Sequence, residues 1–338
     1  MKKYSAYITE RFQITKDSTI ERKTINHKPQ DVNELVTIIK TKLATELNDD
    51  GLLDLSDIDI SYITSLKNVL NAEATYINPL HTYAKQISKI KIIDITDWDV
   101  RNVISINNFI SHIPNLKKIV SGPLHFDNLD NAFMGFSNNP KLSDFQTSNL
   151  YIKNARTLED LFAVTALKTI DISNIGFGKV RDIAGMFYCC DKLEKVTGFA
   201  NKMAPEMRSM EECFYNCGSL KNTDIGKLQI GAKVTKISEM FYWCTELTKL
   251  DLSDWEFPSL TTANRVFYNC TKLTSIGNVK RWDMNMVTDM NAMFFNCKSM
   301  QEIDGIDNWE ISDKANTEHL FYYMHPKFKD PSWATWAT

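Results

Sequence analysis

Seven cysteines, six histidines and 42 acidic residues are the groups with chemistry to offer in this 338-residue chain. Cysteine and histidine in closely spaced pairs would point to a metal site, since ligands must converge within about 2.3 Å of one ion. The histidines (His27, His81, His112, His125, His319, His325) are scattered instead, with no metal spacing and no nucleophile partner. The cysteines form no C-x-x-C pair; they stand at Cys189, Cys190, Cys213, Cys217, Cys244, Cys270 and Cys297. No glycine-rich phosphate loop, G-x-S-x-G elbow or H-E-x-x-H helix is present. No catalytic constellation and no cofactor or metal site is therefore expected, and the chain is not expected to be an enzyme.

Five of the cysteines carry a different message. Cys190, Cys217, Cys244, Cys270 and Cys297 follow one another at 26 or 27 residues. Each has a phenylalanine three residues before it (Phe187, Phe214, Phe241, Phe267, Phe294) and a leucine or methionine three after. The phenylalanine column extends to Phe109, Phe133, Phe162 and Phe321, and a tryptophan column (Trp98, Trp255, Trp282, Trp309) runs in step. Self-similarity at fixed period is the mark of a repeat protein. In that setting the cysteines and aromatic columns are core ladders. Free cysteine packs as a small apolar residue, and Cys189, beside Cys190, faces outward as the exposed thiol.

Within one unit, Met284, Val287, Met290, Met293, Phe294, Cys297 and Met300 recur at steps of three and four, the face of a helix. The run Leu247-Thr248-Lys249-Leu250-Asp251-Leu252-Ser253 then alternates, the period of a strand. A single strand–turn–helix unit cannot bury both faces, so copies must stack. Strands stack at about 4.8 Å and helices at about 8–10 Å, which places strands on a concave side and helices on a convex one. The expected fold is an α/β solenoid, a right-handed stack of strand–turn–helix units. Residues 57–70 are a degenerate copy, separated from the rest by an irregular insertion over 71–90. Asp31-Val32-Asn33-Glu34 opens an amphipathic helix through Val32, Leu35, Ile38, Ile39 and Leu43 that closes the N-terminal end.

The domain plan is thus a capping or docking domain over 1–54, a solenoid of nine to ten repeats over 55–325, most regular over 162–325, and a tail over 326–338. Phe328, Trp333 and Trp336 of the tail either fold back over the last repeat or form an exposed aromatic patch.

The segments Met186-Phe187-Tyr188-Cys189-Cys190-Asp191-Lys192-Leu193 and Met240-Phe241-Tyr242-Trp243-Cys244-Thr245-Glu246-Leu247, continuing to Trp255, resemble the BspA-type leucine-rich repeats of bacterial surface proteins. The resemblance covers roughly residues 90–325. It implies a leucine-rich-repeat-like solenoid with an adhesion or protein-binding role. The opening Tyr4-Ser5-Ala6-Tyr7-Ile8-Thr9-Glu10-Arg11-Phe12 resembles leaders of phage- or prophage-encoded repeat proteins.

Alternation on the strands turns Lys118, Asp171, Lys195, Asn222, Asp224, Lys249, Asp251, Glu302 and Asp304 outward, and these are the candidate binding residues. Asp171, Asp224, Asp251 and Asp304 form a partial carboxylate column, with Asp224 and Asp251 expected on adjacent strands. Like charges across a strand pair are destabilising. The column is then a set of corner caps, an acidic groove, or a cation site. With 39 basic against 42 acidic residues, the chain lacks the footprint of a nucleic-acid binder. No apolar run reaches the ~18–20 residues of a membrane span, and Glu10 and Arg11 interrupt any signal-peptide core after Lys2 and Lys3. The expectation is a binding or adhesion module for a protein or glycan partner, cytoplasmic or virion-associated, with surface display only by a signal-less route. The alternative is a structural or decoration protein of a phage virion or surface assembly, joined to a larger particle through residues 1–54.

Overall fold

The computed structural model describes residues 24–73 and 80–334. The chain winds into a solenoid in which equivalent residues of successive turns pair in parallel. Nine consecutive bridges link Ser65, Ser105, Asn131, Thr157, Asp182, Ser209, Lys236, Thr262, Asp289 and Asn316. Short strands form a second column: Leu52–Asp54, Ile92–Asp94 and Lys118–Val120 pair in one sheet, and Thr169–Asp171, Lys195–Thr197 and Asn222–Thr223 in another. Leu53, Ile93, Ile119, Ile170 and Val196 point into the core from these strands, as alternation requires. One continuous apolar core runs the length of the stack.

The segment with helical spacing is not a helix. In the turn around Phe214, the N–H groups of Met210, Glu212, Phe214 and Asn216 donate to carbonyls of the next turn, at Lys236, Ser238, Met240 and Tyr242. The residues between, Cys213, Tyr215 and Cys217, donate back three residues within their own turn. Alternate amides therefore hold neighbouring turns together, where an α-helix would keep every amide to itself. Linked tight turns advance about four residues per bend, so they put Met210, Phe214 and Cys217 inward at the same three-and-four spacing a helix shows. Phe rings in this column stack 5.0–6.1 Å apart from Phe136 to Phe294. Both sides of the solenoid thus stack at sheet spacing, and the mismatch that predicted a concave and a convex side is absent.

This backbone needs a left-handed residue at two fixed places, two before and two after the phenylalanine. The turn at Phe214 has Glu212 (φ 54°) and Asn216 (φ 54°), the next has Glu239 and Trp243, and the pattern continues to His319 and Tyr323. The register of these residues corrects the column itself. Phe136, not Phe133, is the buried ring between Ile110 and Phe162. Phe109 lies one residue out of phase, because Leu70 pairs with Ile110.

The N-terminal helix is Val32–Thr45, capped by the Asp31 carboxylate on the Asn33 and Glu34 amides. Glu34 reaches back to the Gln30 N–H, one residue earlier than a standard capping box. Leu35, Val36, Ile39 and Leu43 are buried in the solenoid core, and buried Lys42 pairs with Asp57 at 3.1 Å. A short second helix, Ala84–Ile87, stands in the irregular insertion. At the other end, Trp333 stacks on Trp309 and Phe328 packs on Phe321, so the tail folds back as far as it is described; Trp336 lies outside the described residues. Among the described residues no helix is long and apolar enough to cross a membrane.

Candidate functional site

The cysteine column is structural. Cys190, Cys217, Cys244, Cys270 and Cys297 are fully buried, and each thiol donates to the carbonyl of the phenylalanine one turn back, at 3.0–3.1 Å. At Phe187, Phe214, Phe241 and Phe267 that carbonyl has already accepted an amide of its own turn, so the thiol fills its second lone pair. Burial pushes these thiols up, Cys190 to about 11 and Cys217, Cys244 and Cys297 well above the ordinary value. They are poor nucleophiles and poor ligands in that state. Asn139, in the second turn before that of Cys190, has the same role and donates to the Ile110 carbonyl at 2.8 Å. The tryptophans do likewise: the Trp255 and Trp309 indoles donate to the Leu228 and Val279 carbonyls at 3.1 and 3.0 Å.

The candidate binding residues are not one column. Lys118 pairs with Asp144 of the next turn at 2.6 Å. Asp171 accepts the Ser173 N–H and gives its own N–H to the Thr147 hydroxyl, both at 2.9 Å. Lys195 lies in register between Thr169 and Asn222, with its side chain exposed. Asp224 turns away from the strand face and accepts three amides of the preceding turn, Gly198, Phe199 and Ala200, at 3.1–3.3 Å. It is a corner cap. Strand pairing stops at Asn222–Thr223, so Asp224 and Asp251 lie on successive turns but not on paired strands. Lys249 bridges to Ser275 instead. Asp251 is exposed, accepts from the Ser253 hydroxyl at 2.7 Å and faces Lys227 at 3.5 Å. The Ser253 hydrogen bonds, then Lys227, hold its carboxyl below the usual carboxylate range. Asp304 accepts from Asn278 at 2.7 Å, and Glu302 is exposed.

Asp171 and Lys195 are the pair the fold does bring together. The strand ladder breaks between Asp144 and Thr169, where Thr147–Asn149 coils into a single 3₁₀ turn. At the break lies an open depression of about 300 Å³, lined by Gln146, Thr147, Ser148, Thr169, Asp171, Lys195 and Thr197 above the apolar floor of Phe145 and Ile170. Asp171 and Lys195 stand there on paired strands, with the Gln146 amide and Thr147 hydroxyl on the 3₁₀ turn beside them. The position of this break was not visible in the repeat pattern, because it depends on a local turn and not on the periodic residues.

A second feature has a plain sequence signal that the cysteine alignment passes over. Tyr188, Tyr215, Tyr242, Tyr268 and Phe295, each directly after the core phenylalanine, stack face to face with centroids 4.6–4.9 Å apart. All five are half-buried on the turn side.

A family described as a Mycoplasma protein of unknown function, DUF285, matches the chain over residues 40–199, 125–220 and 208–336. The chain belongs to that family. No curated protein matches this DUF285 member. It is similar to a leucine-rich repeat protein from Eubacterium ventriosum, with 13% identity over 85% of this chain and 94% of the other at TM-score 0.33. A chain of the TLR13–ssRNA13 complex matches with 14% identity over 86% of this chain and 40% of its own length, at TM-score 0.30. A leucine-rich repeat protein from Bacteroides ovatus matches with 14% identity over 71% of this chain and 83% of its own, at TM-score 0.21.

Proposed function

We propose that this DUF285 protein is a non-enzymatic binding module that engages a protein or glycan through its strand face, at the depression between Asp171 and Lys195. The observation that carries the reading is the break in the strand ladder. It leaves polar groups of both charges beside an apolar floor, on backbone that is already ordered, so little conformational entropy is lost when a partner docks. The resemblance of the Met-Phe-Tyr-x-Cys units to BspA-type repeats supports a recognition role at a bacterial or phage surface. The reading as a virion component docked through residues 1–54 has less support, because Leu35, Val36, Ile39 and Leu43 are already buried against the first turns.

The test is a glycan array and a cell-surface binding assay with the full chain and with Asp171→Ala/Lys195→Ala. Both side chains sit outside the core, and the bond lost is the cap of Asp171 on the Ser173 N–H, so stability should fall by no more than about 2 kcal/mol and the fold should be kept. Binding by the parent that is lost in the double variant supports the strand face as the site. Equal binding by both overturns it.

A further inference from the structure

We propose that the aromatic column from Tyr188 to Phe295, with the carboxylates of Asp160 and Glu212 at its start, is a second interaction surface that takes a basic polypeptide segment of another protein. It lies on the turn side of the solenoid, and the strand-face reading neither requires nor implies it.

The rings stack face to face, so their faces are occupied by one another, and these half-buried side chains present their rims to solvent. Such a strip offers apolar carbon for the stem of a lysine or arginine and oxygen acceptors for its head. The carboxylates beside it supply the opposite charge. They occupy the left-handed position two before each core phenylalanine. On the turns of Phe162 and Phe214 this is Asp160 and Glu212; on the turn between them it is Gly185. Asp160 Oδ1 fills the space a side chain at Gly185 would need, and a Cβ placed there would lie 3.6 Å from the Tyr188 Cβ.

Neighbouring acids on the same strip have cations: Glu211 meets Lys236 at 3.4 Å and Glu239 meets Arg265 at 3.1 Å. Among the described residues Glu159, Asp160 and Glu212 form no such pair. Burial, then Glu159, Glu212 and Asp182, pushes the Asp160 carboxyl up to about 7. Burial, then Glu239 and Glu211, raises Glu212 as well. An arriving cation would offset the desolvation cost of the charged carboxylates and counter their mutual repulsion. One turn on, Ser238 is 8% exposed, and among the described residues its hydroxyl has no hydrogen-bond partner. Its carbonyl accepts the Glu212 N–H at 2.9 Å, so it borders Glu212 on the following turn.

The experiment is fluorescence anisotropy at pH 8 with labelled octa-arginine and octa-glutamate peptides and the full chain. Octa-arginine should bind and octa-glutamate should not, with affinity falling as salt rises. Asp160→Asn/Glu212→Gln should weaken octa-arginine by about tenfold, while Asp254→Asn/Glu310→Gln, two exposed acids elsewhere, should change it by less than about twofold. Tyr188→Leu, which keeps bulk but removes ring and hydroxyl, should weaken it by about threefold. The strand-face pair Asp171→Ala/Lys195→Ala should leave it unchanged, which separates failure here from failure of the strand-face reading. No octa-arginine binding, equal loss in the two acid-to-amide pairs, or no effect of Tyr188→Leu would overturn the proposal.

Discussion

Individual side chains in this molecule are chosen by what the neighbouring turn leaves unsatisfied. A cysteine, an asparagine or an indole at its place in the turn answers a carbonyl one turn back, and the types are interchangeable to the extent that they can donate. Asp224 does the reverse, answering three amides, which is why an outward residue of the alternation pattern turns into the corner. Asp160 differs from both, since among the described residues it has neither an amide to cap nor a cation to meet. Its carboxyl, raised to about 7 against 3.8 for the free group, makes the folded state bind more protons than the unfolded one between those values. Stability from this group is therefore present at low pH and lost as pH rises from about 4 to about 7. Glu159, Asp182 and Glu212, raised for the same first reason of burial, add to that slope. Carboxylates such as Asp57, Asp99 and Asp130, lowered by hydrogen-bonded partners, oppose it. The clean measurement is thus a difference. Asp160→Asn should melt about 2 °C or more above the parent at pH 8 and level with it at pH 4. A constant gap across that range would show that the carboxyl is not perturbed.

At the scale of the element, the unit is a chain of tight turns that needs a left-handed residue twice per turn of the solenoid. Asparagine tolerates that conformation better than other non-glycine residues, and it fills the later place at Asn138, Asn216, Asn269 and Asn296. Val164 (φ 55°) occupies the same place with a β-branched side chain, which clashes most in this region. Its amide already donates to the Tyr188 carbonyl at 2.7 Å, and an asparagine would keep that bond. Val164→Asn should therefore raise stability by about 0.5–1 kcal/mol, read as a higher urea midpoint at unchanged slope. A fall would mean that Val164 packs more than it strains. These turns also explain what the periodicity concealed. Steps of three and four follow from any backbone that bends every few residues, so Met210, Phe214 and Cys217 alone do not separate a helix from linked turns. The asparagines two after Phe136, Phe214, Phe267 and Phe294 were the discriminating signal: asparagine disfavours a helix interior and favours the left-handed region. The phase slip arises because Phe109 stands one residue before the in-register Ile110 and Phe133 three before the in-register Phe136. The depression at Asp171 and Lys195 was legible only as two outward side chains, because Thr147–Asn149 breaks the ladder for reasons local to one turn.

Across the whole molecule, each turn meets only the one before and the one after, so cooperativity must pass through shared interfaces. The core ladder is the clearest of these. Phe241 is fully buried, with its ring 5.3 Å from Phe214 and 5.7 Å from Phe267. Phe321 is 7% exposed and meets Phe294 on one side, with Phe328 and Trp333 of the returning tail on the other. Truncating a buried phenylalanine costs about 3–5 kcal/mol through lost transfer and an unfilled cavity. At Phe241 the cavity opens into two interfaces that both carry long stretches of the stack. At Phe321 the lost contacts are with one turn and a tail, and the tail can settle into some of the space. Phe241→Ala should therefore lower the urea midpoint more than Phe321→Ala. It should also divide the unfolding transition, since the halves on either side of the weakened interface are then coupled too weakly to melt together. Hydrogen exchange would locate the division: amides bonding across the turns of Phe214 and Phe267 should lose protection in Phe241→Ala and keep it in Phe321→Ala. Equal midpoints and a single transition in both variants would mean that stability is shared by the molecule as a whole and is not handed from turn to turn.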